Sequence, residues 1–473
     1  MKRLSKFYRE NVAHLDKTLR VDESFDILKK VMKIGNDEIT LYYIDGFVKD
    51  TVMGKLMIYF LSLKGLGEST EDCADEFLKA HLPYVEAEVT EDLEQMIGTM
   101  LSGATLMLGS RFEDKAILID SRSYPARGTE EPENDRVMRG ARDGFVETLI
   151  SNTALIRRRI RDTSLTMAYV SVGKHTRTDI AICYMADKAD PEYVEYLKNK
   201  LKNIETGSLA LSHQSLTECL VGSRWYNPFP KIRNTERPDA AVAQILEGSV
   251  IILCDNSPEA MILPTTIFDF MQETNDFYYP PLTGSYLRLV RHLVFWSTLV
   301  LIPTWYLFIM NPEIVPSWLK FTLPTSEAKI PIIVQLLLVE FILDGLKLAS
   351  MNTPNMLANS LSIVGGLILG DFAVGVGWLI PEVILYMAYV SIATFTQTSY
   401  ELGYAFKFLR VIILILTALF NYFGYGAGIL LTVILICTNK TVNHRRSYLY
   451  PLIPFNGKAL LSLYIRMKKS KKT

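Results

Sequence analysis

Three ionisable residues interrupt an otherwise apolar run, IPIIVQLLLVEFILDGLKLA (330–349): Glu340, Asp344 and Lys347. Spacings of four and three residues put them on one face of a helix. Within hydrocarbon, a carboxylate at mid-depth costs about 2.5–3.5 kcal/mol. The face must therefore meet a polar cavity, a partner helix or a pore. The plainer alternative is an internal Asp344–Lys347 pair, with Lys347 reaching back to the headgroups. Asp371, inside GGLILGDFAVGVGW (365–378), raises the same question and reads as buried or pore-facing. Glu382 follows Pro381 and reads as a cap at a helix start. Gly366, Gly370, Ala373 and Gly377 recur at spacings of 4, 3 and 4, and Gly424 with Gly428 repeats the first of these. Small-residue stripes let helix backbones approach closely, and in a symmetric oligomer they line a narrow pore.

These residues sit in four apolar stretches. The first, HLVFWSTLVLIPTWYLFIM, covers 292–310, and the second is 330–349. The third, 361–396, would run about 54 Å as one helix. A hydrocarbon core is only about 30 Å thick. It must hold two segments, broken near Gly375, Gly377 and Pro381. The fourth, 409–437, would run about 44 Å, and GYGAG (424–428) is the natural turn between two short halves that cross or re-enter. Arg288 and Arg291 precede the first stretch, Lys407 and Arg410 lie after the second segment of the third, and Lys440, Arg445 and Arg446 follow the fourth. The positive-inside rule then places both termini in the cytoplasm, with six or four crossings.

Most of the charge lies ahead of residue 285. Residues 1–24 read as a loosely held polar lead-in. Strands are expected at 39–47, 104–109 and 115–122, and helices at 51–62 and, with a Thr90 cap, at 90–101. PARGTEEPENDR (125–136) has the composition of a linker and a hinge. Beyond it come a helix over 143–162, strands at 165–173 and 178–186, a helix over 190–204 opened by Asp190 and Pro191, and a closing hairpin at 249–255 and 260–264. RRRIRD (157–162) closes the first of these helices. Arg157, Arg158, Arg159 and Arg161 form a basic patch suited to anionic lipid, although a helix C-terminus favours cations in any case.

A net charge of −1 argues against a nucleic-acid binder. Five dispersed cysteines without a CxxC read as buried thiols of a reducing compartment, with no metal site expected. No apolar signal region follows MKRLSKFYRE. No phosphate loop, dinucleotide fingerprint, zinc-protease or nucleophile-elbow motif occurs, so no enzyme and no cofactor is expected.

VMRGARDGFVETLISNTALIRRRIRD (137–162), ERPDAAVAQILEGSVIILCDNSPEAMILPTTIFDFMQ (236–272), GSYLRLVRHLVF (284–295) and IVGGLILGDFAVGVGWLIPEVI (363–384) resemble the A-subunits of spore germination receptors, the GerA type. The resemblance implies a spore inner-membrane protein whose membrane domain forms an oligomeric ion channel in germination. After Glu340, FILDGLKLASMNTP lacks the Arg-Glu-Ala-Gly stretch of the nutrient-receptor branch, with Leu343 in place of the arginine. It is similar instead to the SpoVAF branch, which points away from direct nutrient sensing.

The expected molecule is an α+β membrane protein: two cytoplasmic α/β subdomains (1–135 with its linker, and 136–285), an all-α multi-span transmembrane domain (286–440) and a basic cytoplasmic tail (441–473). The expected function is an oligomeric cation channel or signal relay in spore germination, with a secondary transporter or a non-conducting scaffold as alternatives. Expected partners are further copies of the chain, other spore inner-membrane germination proteins, anionic lipids and monovalent cations, and no nucleic acid. On this reading Glu340→Gln keeps the fold and alters conduction.

Overall fold

The computed structural model describes residues 3–67, 72–123, 141–221, 226–273, 276, 278–325, 328–352, 373–439, 441–442 and 447–465. Two compact units result: residues 1–223 with 232–264, and residues 224–231 with 265–473. The linker expected at 125–136, Asp371, Gly366, Gly370 and residues 443–446 and 466–473 of the basic tail lie outside the described residues.

The first unit contains the same pattern twice. Helix α1 (Tyr8–Leu19) precedes the hairpin β1 (Ile27–Ile34) and β2 (Asp37–Ile44). Then come α2 (Asp50–Ser62), α3 (Cys73–Ala80), β3 (Ala87–Thr90), α4 (Leu93–Leu101) and the hairpin β4 (Thr105–Gly109) and β5 (Ala116–Ile119). The second copy is α5 (Leu149–Arg159), β6 (Leu165–Val172), β7 (Thr178–Met185), α6 (Pro191–Lys202), α7 (Ser212–Leu220), β8 (Arg233–Thr235), α8 (Pro238–Leu246), β9 (Val250–Cys254) and β10 (Ala260–Leu263). The antiparallel sheets run β1-β2-β4-β5-β3 and β6-β7-β9-β10-β8, element for element alike.

Both faces of the first sheet are covered, which explains why β4 and β5 read as unbroken apolar runs rather than alternating ones. Leu106, Leu108 and Leu118 face α1 and α4. Met107, Ile117 and Ile119 face α2 and α3. In the second sheet, α5 and α8 take the place of α1 and α4 over Met167, Cys183, Ile251 and Leu253.

Residues 1–24 are therefore not a loose lead-in. α1 buries Leu15 and Leu19 completely and ties down Asp16, which accepts from Tyr42 Oη at 2.9 Å and pairs with Lys29 at 2.5 Å. Its polar composition hid only one apolar stripe. The cap of α4 is Asp92, accepting from the Glu94 N–H at 2.9 Å, not Thr90. The helix expected over 143–162 begins only at Leu149, because Asp143 is held by Arg159 at 2.5 Å and the Phe145 N–H donates to Glu236 O at 2.7 Å. Asp190 does cap α6, with Pro191 in the first turn. Of the five thiols, Cys73, Cys183 and Cys254 are buried, burial pushing Cys254 up to about 12. Cys219 and Cys437 are exposed, against expectation.

Arg157 joins the two copies. Its side chain is fully buried, so it leaves the expected basic patch. Nε and Nη2 donate to the two Asp26 carboxylate oxygens at 2.7 and 3.1 Å, and further donors reach Asp162 O and Leu165 O at 3.2 and 3.1 Å. Ser24 Oγ accepts from the Met167 N–H at 3.0 Å, and the Phe25 N–H donates to Met167 O at 3.0 Å. A planar fork of five donors suits this crowded site better than an ammonium would. Arg158 and Arg161 remain exposed, and Arg159 is half-buried on Asp143.

The second unit is helical: α9 (Pro281–Met310), α10 (Ile332–Asn352), α11 (Pro381–Phe395), α12 (Tyr400–Thr438) and the short α13 (Gly457–Tyr464). Asn421, at φ 51° and ψ −127°, breaks α12 into limbs 400–420 and 422–438. The limbs run opposite ways along α9. Phe406 stacks near Phe295, Arg410 reaches Thr298, and Asn421 exchanges amide bonds of 2.7 and 3.0 Å with Asn311. On the way back, Tyr425 meets Thr304 at 2.8 Å, and Ile429 and Val433 line a groove with Trp296 and Val300. The turn thus falls at Asn421 rather than in GYGAG. Gly424 and Gly428 lie inside the returning limb, where an added Cβ would stand 1.8 Å from Leu416 O and 3.0 Å from Ile413 Cα.

Arg157 generates a stability prediction. Arg157→Ala leaves Asp26 buried without its partner, so about 3–5 kcal/mol should be lost, and replacing both residues by apolar side chains should recover most of it. Denaturant unfolding of the single and double variants checks this. A loss below about 1 kcal/mol, the level of an exposed ion pair, would deny Arg157 its joining role.

Candidate functional site

The charged face of α10 is met by a charged face of α12. Glu340 and Asp344 are one turn apart on α10, while Lys407 and Arg410 are three apart on the first limb of α12, so each helix presents its pair to the other. Arg410 Nη2 donates to Glu340 Oε1 at 2.7 Å, and Lys407 Nζ stands 3.1 Å from the same oxygen. Lys407 also donates to Asp344 Oδ1. Arg410 Nη1 donates to the Thr298 carbonyl of α9 at 3.0 Å. One guanidinium therefore fastens three helices.

Burial is uneven. The Arg410 and Glu340 side chains are 4% and 13% exposed, whereas Asp344 is 37% exposed. Asp344 takes Lys407, so the alternative Asp344–Lys347 pair does not form. Lys347 instead sits 5.4 Å from the Phe395 ring centre and 5.8 Å from that of Tyr404, within cation–π reach. A void of about 20 Å³ touches all five charged side chains together with Ser391 and Thr394. It has room for about one water.

Neighbouring contacts hold this arrangement in register. Gln335, one turn before Val339 on α10, accepts from the Ile380 N–H at 2.9 Å and so fixes the start of α11. Ser297 of α9 and Tyr389 of α11 share a hydrogen bond of 2.8 Å. Glu382 lies in the first turn of α11 and accepts from the Thr325 N–H and hydroxyl at 3.3 Å. Of the small-residue stripe, Ala373 is helical, whereas Gly377 has left the helix at φ +75°, where an added Cβ would stand 3.0 Å from Lys329 Nζ.

Sequence reading missed Lys407 and Arg410 as site residues. It counted them as loop cations marking a membrane side, yet both are buried in a helix and paired with the acids of α10. The available signal was their spacing, which mirrors the acidic pair. Pairing also reverses an expectation. Because the Glu340 carboxylate answers two cations, Glu340→Gln should disturb the fold as well as any conduction.

Glu340→Gln should therefore destabilise the helical unit by about 3–5 kcal/mol, the cost of stranding buried charges. Lys347→Met removes a cation with no carboxylate of its own and should cost less than about 1 kcal/mol. Unfolding of the purified chain in detergent compares the two. Equal losses would mean that the cluster is not organised around Glu340.

Comparison with known proteins places the chain. The family described as "Bacillus/Clostridium GerA spore germination protein" matches residues 14–473. Stage V sporulation protein AF of Bacillus subtilis is 36% identical over 462 residues, covering 97% of this chain and 92% of that protein. Spore germination protein KA of the same organism is 26% identical, covering 97% and 84%. The crystal structure of the N-terminal domain of the A subunit of the Bacillus megaterium spore germinant receptor GerK3 aligns with 56% of this chain and 97% of its own, at 22% identity and a TM-score of 0.42. The chain belongs to the GerA family of spore germination proteins.

Proposed function

We propose that the chain is a membrane subunit acting in bacterial spore germination, and that several copies assemble into an oligomer that conducts cations. On this reading it is a multi-pass protein of the spore inner membrane with both termini in the cytoplasm, working beside other germination proteins. The names of its relatives, Stage V sporulation protein AF and Spore germination protein KA, supply the process. Two described helices, α9 and α12, are long and apolar enough to cross a membrane, and α12 is itself a hairpin. α10 has 21 residues and carries three charges. Leu385, Ile392, Phe423 and Leu430 are exposed on α11 and α12, as lipid-facing residues would be.

The observation that carries the proposal is the paired cluster at mid-helix. Lys407 has two carboxylates within reach, while Arg410 by itself serves Glu340. A small shift of Lys407 toward Glu340 would release Asp344 without stranding any buried cation. Asp344 is the more exposed acid, and copies of it around an oligomer axis would attract cations. Return of Lys407 would neutralise it. Asp371 and the glycines Gly366 and Gly370 belong to the same proposed lining by sequence.

Single-channel recording on the full chain in planar bilayers tests the proposal. Unitary currents selective for cations are expected. Asp344→Asn should reduce the cation-over-anion preference roughly fivefold, the factor that about 1 kcal/mol of lost charge attraction supplies. Intact oligomers without current would indicate a scaffold. Saturable flux without unitary steps would indicate a transporter.

A further inference from the structure

We propose that the exposed edge over residues 452–465, helped by the basic sequence that follows it, is a peripheral anchor that docks on an anionic lipid surface beside the start of α9; the inference rests on the membrane reading above. The structure leaves an apolar edge uncovered here. Leu452, Ile453, Phe455, Leu461 and Ile465 are all exposed, Phe455 to 75%. The approach to α13, the helix itself and the residue after it thus present five large apolar side chains, while Tyr448 and Leu463 face inward to the helical core.

The position of this edge is fixed. Arg288 Nη1 of α9 donates to Ser462 O at 2.9 Å, and the His292 and Tyr464 rings lie 4.8 Å apart. His292 is where the apolar stretch of α9 begins. The edge therefore stands level with the boundary at which α9 would leave hydrocarbon, and α9 shows Leu282, Tyr286, Leu289 and Leu293 exposed along the same boundary. Apolar side chains at that level fit the interfacial zone, which takes both rings and aliphatic groups.

Charge decides which lipid. Residues 466–473 read RMKKSKKT: five cations, Arg466, Lys468, Lys469, Lys471 and Lys472, and no acid. Lys458, at the start of α13, adds a sixth on the exposed side. A cluster of four to eight cations immediately beside a membrane segment is attracted to anionic headgroups. Neither signal alone anchors firmly, whereas insertion of apolar groups combined with a polybasic stretch does. The basic stretch should therefore decide whether the apolar edge enters the bilayer, and the surface should recognise phosphatidylglycerol-like lipid over a zwitterionic one.

The test uses the full chain, with exposed Cys219 and Cys437 replaced by alanine, and Phe455→Cys carrying a fluorescent probe. It is reconstituted in bilayers of phosphatidylcholine alone or with phosphatidylglycerol added. Quenching by acrylamide should fall about fivefold in the anionic bilayer, and that protection should fade in high salt, as electrostatic docking requires. Replacing the five cations of 466–473 by glutamine should abolish the difference between the two lipids. Equal quenching in both bilayers, or protection that survives the glutamine variant, overturns the proposal. Alkaline extraction is run in parallel: if the chain itself leaves the membrane, the membrane reading fails, and if it stays while the probe remains open to acrylamide, only the anchor fails.

Discussion

One lysine between two carboxylates is the constraint around which the helical unit is built. Glu340, Asp344, Lys407 and Arg410 come from two helices, and a third helix enters through the Thr298 carbonyl. Neither Glu340 nor Arg410 can be moved alone. Rotation of α10 would strand Arg410, and sliding of α12 would strand Glu340, each at a cost of several kcal/mol. The apolar contacts around them, such as Val339 on Val383 and Met387 of α11, are non-directional and could be satisfied at several rotations. The charged cluster therefore sets the rotation and depth of the helices, and the apolar core fills in around that choice.

The α/β unit uses the same device. Arg157 is the largest fully buried side chain among the described residues, and it draws together Asp26, just before β1, and Leu165 of β6. Two copies of one topology give two separate hydrophobic cores, which by themselves specify no mutual orientation. A fully satisfied guanidinium between them does, because every one of its partners has a direction. The arginine-rich and ERPD blocks, far apart in sequence, meet here through Phe145 and Glu236.

Much of the fold was legible because periodicity and length are strong signals. β4, β5, β6, β7, β9 and β10 lie where short apolar and β-branched runs stop at turn residues, and α6 announces itself by Asp190 and Pro191. α1 was not legible, since two fully buried leucines among charges leave little pattern. The duplication shows in the order of elements and strands, which becomes visible only once the sheets are assembled. The site was half legible. Acids in an apolar run stand out, and Glu340 and Asp344 did. Their partners did not, because Lys407 and Arg410 sit near the polar end of a helix, where cations are ordinary, and only contact between distant segments reveals the pairing. Asn421 was missed as the turn for a related reason: glycines mark turns by frequency, but here Gly424 and Gly428 are needed for close approach to Leu416 and Ile413.

The central claim is that Glu340 and Arg410 act as one unit, and a double-mutant cycle on the purified full chain measures it. Glu340→Gln, Arg410→Gln and the double variant are compared by equilibrium unfolding in one detergent. A coupled buried pair predicts that the double variant is more stable than the sum of the single losses allows, by about 1.5 kcal/mol or more. Additive losses, with a coupling energy within about 0.5 kcal/mol of zero, would mean that the two side chains are neighbours without being partners, and the account of the helical unit would be wrong.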